Sequence, residues 1–159
     1  EAPSEPSHST QDTSETALRN IDVLPRILVA EDNKTNQFVL RKLLEPTGAT
    51  LRFCNDGLQA VKMFGEETFD LVLMDVSMPG LDGLSATKEI RAFEAQNRRD
   101  ECPIIAVTAN ASSTDREKCL AVGMSCAIAK PVRKQELYNV LTHWIRSEKL
   151  RSQLALNSK

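Results

Sequence analysis

In this chain of 159 residues, the groups best suited to chemistry stand at the ends of short apolar runs. Glu31 and Asp32 follow Arg26-Ile27-Leu28-Val29-Ala30, and Asp75 closes Leu71-Val72-Leu73-Met74. Thr108 closes Pro103-Ile104-Ile105-Ala106-Val107, and Lys130 follows Cys126-Ala127-Ile128-Ala129. A short, continuous apolar run suits a strand covered on both faces of a parallel sheet, where nothing polar is tolerated until the strand emerges. Polar groups at such ends share the carboxyl edge, where open α/β sheets bind ligands. A single strand-end aspartate is more often the start of a turn. The recurrence along the chain is what points to a site.

Carboxylates gathered in one crevice repel, by roughly 4 kcal/mol for two charges about 4 Å apart at an effective dielectric of about 20. Such a cluster calls for a cation. Oxygen donors without sulfur or imidazole favour Mg²⁺ over zinc, and Mg²⁺ takes one or two carboxylates, keeps waters and recruits a phosphate oxygen. The expected chemistry is therefore phosphoryl transfer, which needs positioning and neutralisation of charge, a role suited to Lys130 and Thr108. Asp75 is the best nucleophile, because its run is expected at the centre of the sheet and carboxylate attack on phosphorus gives an aspartyl-phosphate. The sequence has no Gly-x-x-x-x-Gly-Lys-Ser/Thr loop and no Gly-x-Gly-x-x-Gly after the first run, so the donor is not expected to be a nucleotide.

The elements that must hold these groups alternate between strand and helix. Asn33 is placed to cap a helix in which Val39, Leu40, Leu43 and Leu44 recur at helical spacing, until Pro46 and Gly48 interfere. Thr50 to Cys54 reads as a strand, Asn55-Asp56-Gly57 as a turn and cap, and Leu58 to Phe64 as a short helix. After Asp75, the turn Pro79-Gly80-Leu81-Asp82-Gly83 leads into a helix reaching Gln96. Ser112 to Asp115 can cap a helix running to Val122, which Gly123 stops. Leu137, Val140, Leu141, Trp144 and Ile145 form the clearest helical stripe and are assigned to core packing. Five βα units imply a doubly wound parallel sheet, and right-handed crossovers put all its carboxyl ends on one rim. Residues 1–24, rich in Ser, Thr, Glu and Pro, read as a disordered tail or linker. The domain is expected over 25–147, with 148–159 as an extension of the last helix or a tail.

A net charge of −2 argues against a surface that binds nucleic acid through phosphate attraction, so no direct nucleic-acid partner is expected. The polar N-terminus is unlike a secretory signal, and no apolar run has the length of a membrane span. A cytoplasmic location without direct membrane contact is the expectation. Cys54, Cys102, Cys119 and Cys126 form no Cys-x-x-Cys pair and are expected as reduced thiols. His8 and His143 are too few for a polyhistidine zinc site.

Four motifs in order then carry a family resemblance. Glu31-Asp32-Asn33, Met74-Asp75-Val76-Ser77-Met78-Pro79-Gly80-Leu81-Asp82-Gly83, Val107-Thr108-Ala109 and Lys130-Pro131 together resemble the receiver domain of two-component response regulators, over about 26–145. The resemblance implies a flavodoxin-like α/β fold with strand order 2-1-3-4-5 and five helices. It implies that Asp75 takes a phosphoryl group from phosphohistidine, with Mg²⁺ bound by Asp32, Asp75 and the backbone carbonyl of Ser77, and Glu31 acting through water. Lys130 and the Thr108 hydroxyl would stabilise the phosphoryl group, and the domain would promote its own phosphorylation and dephosphorylation. Ala127 departs from the pattern, since receivers often carry an aromatic at that switch position. The wording Ala106-Val107-Thr108-Ala109-Asn110-Ala111 is most similar to receivers of hybrid sensor histidine kinases, which implies a histidine kinase or histidine phosphotransfer protein as partner. It also allows the domain to be the cytosolic part of a membrane-anchored kinase. Two alternatives differ in class. A pseudo-receiver acting only as an interaction module would usually have lost an acidic or lysine position, and none is lost. An aspartyl-phosphate phosphohydrolase would carry a second Asp two residues after the nucleophile, where Ser77 stands.

Overall fold

The computed structural model describes residues 24–145 and 147–157. The segment expected as a tail lies, apart from Leu24, outside the described residues. Strands β1 (Arg26–Ala30), β2 (Thr50–Cys54), β3 (Leu71–Asp75), β4 (Ile104–Thr108) and β5 (Cys126–Ala129) form one sheet in the order β2-β1-β3-β4-β5. Every pairing is parallel. Helices α1 (Lys34–Leu44), α2 (Gly57–Glu66), α3 (Gly83–Gln96), α4 (Ser113–Ala121) and α5 (Lys134–Trp144) connect or follow the strands.

Strand alternation sends side chains to opposite faces and divides the core in two. Ile27, Val29, Leu71, Leu73, Ile105 and Val107 meet Leu40 and Leu44 of α1 and Leu137 and Leu141 of α5. Leu28, Val72, Met74, Ile104 and Ala106 meet Ala60 and Phe64 of α2, Ala86 and Ile90 of α3, and Cys119 of α4. Both faces of the central strands are thus covered, which is why their sequences are apolar throughout. The helix starts are set locally. Asn33, Asp56, Asp82 and Ser112 each accept a hydrogen bond from a backbone N–H in the first turn of the helix they precede.

The C-terminal segment corrects the expectation of five helices with an extension or tail at 148–159. Helix α5 ends at Trp144, Ile145 turns extended, and a separate helix α6 (Glu148–Asn157) follows, giving six α-helices among the described residues. Leu150 and Leu154 of α6 join the α1/α5 side of the core. At its end, Asn157 Nδ2 donates to the Pro46 carbonyl at 2.8 Å, and Lys134 Nζ donates to the Asn157 carbonyl. The cause is a new start, since the Ser147 hydroxyl accepts from the Leu150 N–H at 3.2 Å and caps the helix.

At the other end of the sheet, α3 begins hard against the end of β3. A Cβ at Gly83 would lie 2.2 Å from the Asp75 carbonyl oxygen and 2.9 Å from Val76 Cα, so only glycine fits. Its N–H donates to the Val76 carbonyl at 3.0 Å and locks the approach.

Leu150→Ala is expected to cost about 2–3 kcal/mol, as a cavity in the core does, whereas Leu156→Ala, at 67% exposure, leaves stability unchanged. Urea denaturation of both variants checks this; equal, negligible effects would mean that α6 does not pack. Gly83→Ala is expected to retain the sheet by circular dichroism but to shift the amide NMR signals of residues 75–77.

Candidate functional site

The ladder of backbone hydrogen bonds runs one residue past the strand ends and fixes the rim. Glu31 N–H donates to the Cys54 carbonyl at 3.1 Å, Val76 N–H to Val107 at 3.1 Å, and Lys130 N–H to Thr108 at 2.8 Å. Glu31, Asp75 and Lys130 are therefore carried on backbone that is hydrogen-bonded into the sheet.

Their side chains converge. Lys130 Nζ donates to Asp75 Oδ2 at 3.0 Å and lies 3.3 Å from Glu31 Oε2. Asp75 Oδ1 accepts from the Ser77 N–H at 3.1 Å, and Glu31 Oε1 from the Asn33 N–H at 3.0 Å. Glu31 and Asp75 are buried, whereas Asp32 is exposed at the mouth. One carboxylate oxygen from each of the three acids lies within 4.8 Å of the others. Burial raises the pKa of Glu31; the Asn33 amide and the Lys130 ammonium oppose this, and the charge of Asp75 adds to it. Burial works against the Lys130 ammonium, but the hydrogen bond and charge of Asp75, with Glu31 behind it, outweigh that cost and hold its pKa above the ordinary lysine value. Cys54 sits close below the rim, yet burial pushes its thiol up to about 12, so it offers no competing nucleophile.

This donor set fits a divalent cation of the hard type. Among the described residues the cluster offers only oxygen ligands, and the Lys130 ammonium pairs with Glu31 and Asp75 while Asp32 stands at the mouth beside them. An anionic crevice with an aspartate pinned through both oxygens can hold a cation and present a nucleophile of fixed direction.

The remaining expected residues lie near but are not all engaged. Thr108 ends β4 beside Asp75, whose strand neighbour is Val107, but its hydroxyl donates to the Asn110 carbonyl at 2.9 Å and accepts from the Asn110 N–H at 3.2 Å. Ser77 is exposed beside the crevice. Ala127 sits on β5 opposite Ala106 and leans on the α2/α3 side of the core. His143 is exposed and Trp144 half-buried, both at the far end of α5.

Two residues that hold the site were not singled out from sequence. Gly83 looked like one turn glycine among several, and its need to be glycine arises from a contact eight positions away. Gln37 is buried on the inward face of α1, where its amide bonds the Glu31 carbonyl at 2.5 Å and Asn55 Oδ1 at 2.9 Å. A signal existed for Gln37, because it shares helical spacing with the core residues Leu40 and Leu44 and is thus a polar residue on an apolar stripe.

Comparison with known proteins accounts for this arrangement. A family model of the response regulator receiver domain matches residues 27–142. The sensor protein GacS of Pseudomonas syringae pv. syringae is 41% identical over 120 residues, covering 76% of this chain and 13% of that protein. This chain thus spans only a small part of that relative. The receiver domain of sensor histidine kinase PA1611 from Pseudomonas aeruginosa, solved with a magnesium ion coordinated in its active-site cleft, superposes with a TM-score of 0.70 at 45% identity, covering 79% of this chain and 100% of that one. The receiver domain of the response regulator Ssk1, solved with the histidine phosphotransfer signaling protein Ypd1 of Saccharomyces cerevisiae, gives a TM-score of 0.71 at 33% identity, with 77% and 91% covered. The family match spans most of the sheet and helices, and the chain belongs to the response regulator receiver domains of two-component signalling, in the company of those carried by sensor histidine kinases.

Proposed function

We propose that this domain takes a phosphoryl group from a phosphohistidine onto Asp75 and relays it. The observation that carries the reading is the Asp75 carboxylate held by Lys130 at 3.0 Å inside a cluster of three acids. Asp32, Asp75 and the Ser77 carbonyl would hold Mg²⁺, with Glu31 reached through water; bound there, the ion offsets repulsion between the anionic carboxylate and the anionic phosphoryl group. A carboxylate oxygen of Asp75 forms the new O–P bond as the P–N bond to the imidazole breaks, its electron pair remaining on the ring nitrogen. Lys130, already paired with Asp75, keeps its ammonium beside the incoming negative charge. Thr108 exchanges the Asn110 carbonyl for a phosphoryl oxygen, and the small Ala109 leaves the approach open. The same groups promote loss of the phosphoryl group to water. A pseudo-receiver has no observation in its favour, since every charged group of the pattern is present and brought together.

The proposed partners are a histidine kinase and a histidine phosphotransfer protein, with this domain as the cytosolic part of a membrane-anchored hybrid kinase. No helix among the described residues is long and apolar enough to cross a membrane. In-line transfer brings the partner's imidazole to Asp75 itself, so docking must surround the rim. Phe38 and Val39 on α1 and Leu58 at the start of α2 are 59%, 43% and 64% exposed around that rim, an apolar surface suited to a helical partner.

Incubation with acetyl phosphate and Mg²⁺ is expected to add one phosphoryl group, read by mass spectrometry. Asp75→Asn is expected to abolish the adduct and chelation of the cation to suppress it; labelling that survives either would reject the site. Phe38→Ala is expected to slow transfer to or from a histidine phosphotransfer protein by about tenfold, as the loss of an interfacial aromatic does, with acetyl phosphate labelling unchanged. Equal transfer rates would move the docking surface elsewhere.

A further inference from the structure

The Glu31-Asp32 turn is held at three points. The Glu31 N–H is bonded to the Cys54 carbonyl at 3.1 Å, and its Oε1 accepts from the Asn33 N–H at 3.0 Å. Both use backbone groups that almost any residue could supply. The third point is a side chain, because Gln37 Nε2 donates to the Glu31 carbonyl at 2.5 Å. The same nitrogen donates to Asn55 Oδ1 at 2.9 Å and passes the Cys54 carbonyl at 3.5 Å. A primary amide carries two N–H donors, one for each of the two short bonds. Gln37 is 8% exposed, where an unpaired amide would be costly, so its rotamer is fixed by the partners it satisfies. The amide therefore ties α1, the acidic turn after β1 and the loop after β2 into one unit. Asn55 is steadied in turn, its N–H donating to Gln59 Oε1 at 2.9 Å and its Oδ1 accepting from Lys34 Nζ at 3.3 Å.

The turn so fixed carries Glu31 and Asp32, two of the three acids, while the third stands on β3 with its own rigid support. Their separation from Asp75 is set by how firmly the turn is held. We infer that Gln37 is a positioning residue for the cation: its amide holds the Glu31-Asp32 turn at the spacing from Asp75 that a divalent ion needs. The inference rests on the Mg²⁺ reading proposed above and adds to it a residue that is not itself a ligand. The two residues nearest to Gln in size do not serve the role. Glutamate would set a carboxylate against the Glu31 carbonyl in an already anionic crevice, and methionine fills the same volume with no donor.

Gln37→Met in the full chain, titrated with Mg²⁺ alone by calorimetry, tests this. The dissociation constant is expected to rise about tenfold, the loss typical when a group that orients a metal ligand is removed. Acetyl phosphate labelling of Asp75 is expected to recover once Mg²⁺ is saturating, because Gln37 touches neither the nucleophile nor the phosphoryl group. A Mg²⁺ affinity within twofold of the unaltered chain overturns the inference, whatever happens to the melting temperature, and leaves Gln37 an anchor of α1 only. Asn55→Ala guards against a folding defect, since Asn55 is exposed; losing one of the two hydrogen bonds is expected to raise the dissociation constant about threefold. An unchanged value there also overturns it. Absence of Mg²⁺ binding by the unaltered chain would overturn the Mg²⁺ reading itself, which separates the two failures.

Discussion

Mutual repulsion among Glu31, Asp32 and Asp75 is the constraint on which the rest of the structure turns. Carboxylate oxygens within 4.8 Å of one another, two of the acids buried, do not assemble unless the backbone forces them together. Each close pair costs a few kcal/mol at an effective dielectric near 20, comparable with the whole margin of a small domain's stability, about 5–15 kcal/mol. One ammonium, on Lys130, pairs with Glu31 and Asp75 and leaves the crevice anionic. The arrangement is thus a store of electrostatic strain, which the proposed divalent cation would relieve, and it persists because the strands hold each acid from behind.

Those elements are the central strands. β3 and β4 are buried along their whole length and β1 along nearly all of it, with apolar contacts on both faces, so sliding any of them by one residue would turn core side chains to the wrong side. The register is therefore fixed more firmly than any side-chain interaction at the rim could fix it. Strand packing places the acids, and the acids then shape the local electrostatics. Gly83 and Gln37 extend the same rigidity beyond the strands, one by close backbone approach to Asp75 and the other by clamping the turn after β1.

Most of this was legible in the sequence because it rests on local signals. β2, β3 and β5 occupy the spans that the sequence marked: β3 because a fully buried strand cannot hide its composition, and the half-buried β2 and β5 because turn residues and Lys130-Pro131 bound them. The helix caps at Asn33, Asp56 and Ser112 followed from short polar residues at the helix starts, whereas Asp82 reads in the sequence only as part of a turn. Residues whose role arises from distant contacts left weaker traces. Gln37 and Gly83 act on backbone groups that sequence spacing does not bring near them. That α6 is a separate helix and not an extension of α5 escaped, because only Leu150 and Leu154 bury inward while Leu156 faces out, too few positions to make a new helical period visible. Thr108 was legible in place but not in state, for its bond to the Asn110 loop depends on how that loop folds back.

The state of Thr108 bears on how a phosphoryl group could be sensed. Its hydroxyl is satisfied by the Asn110 backbone, so turning toward a phosphoryl oxygen gives up a neutral hydrogen bond worth about 0.5–1.5 kcal/mol for a charge-assisted one of roughly 1.5–3 kcal/mol. With Asp75 phosphorylated as proposed, the exchange would be favourable by a modest margin and would bias the loop after β4. What the movement would drag with it is decided on β5. An aromatic at position 127 would have to follow the space left by the hydroxyl and would carry the change to the outer face; Ala127 has no ring to swing, and its methyl already rests on the α2/α3 side of the core. The consequences of such a movement would then stay close to the Asn110 loop, at the same rim as Asp75. On the proposed function, a partner that reads this domain at the rim would meet both the phosphorylated residue and the loop that moves, whereas one that reads the outer face of β5 would meet Ala127, which has no ring to report the event.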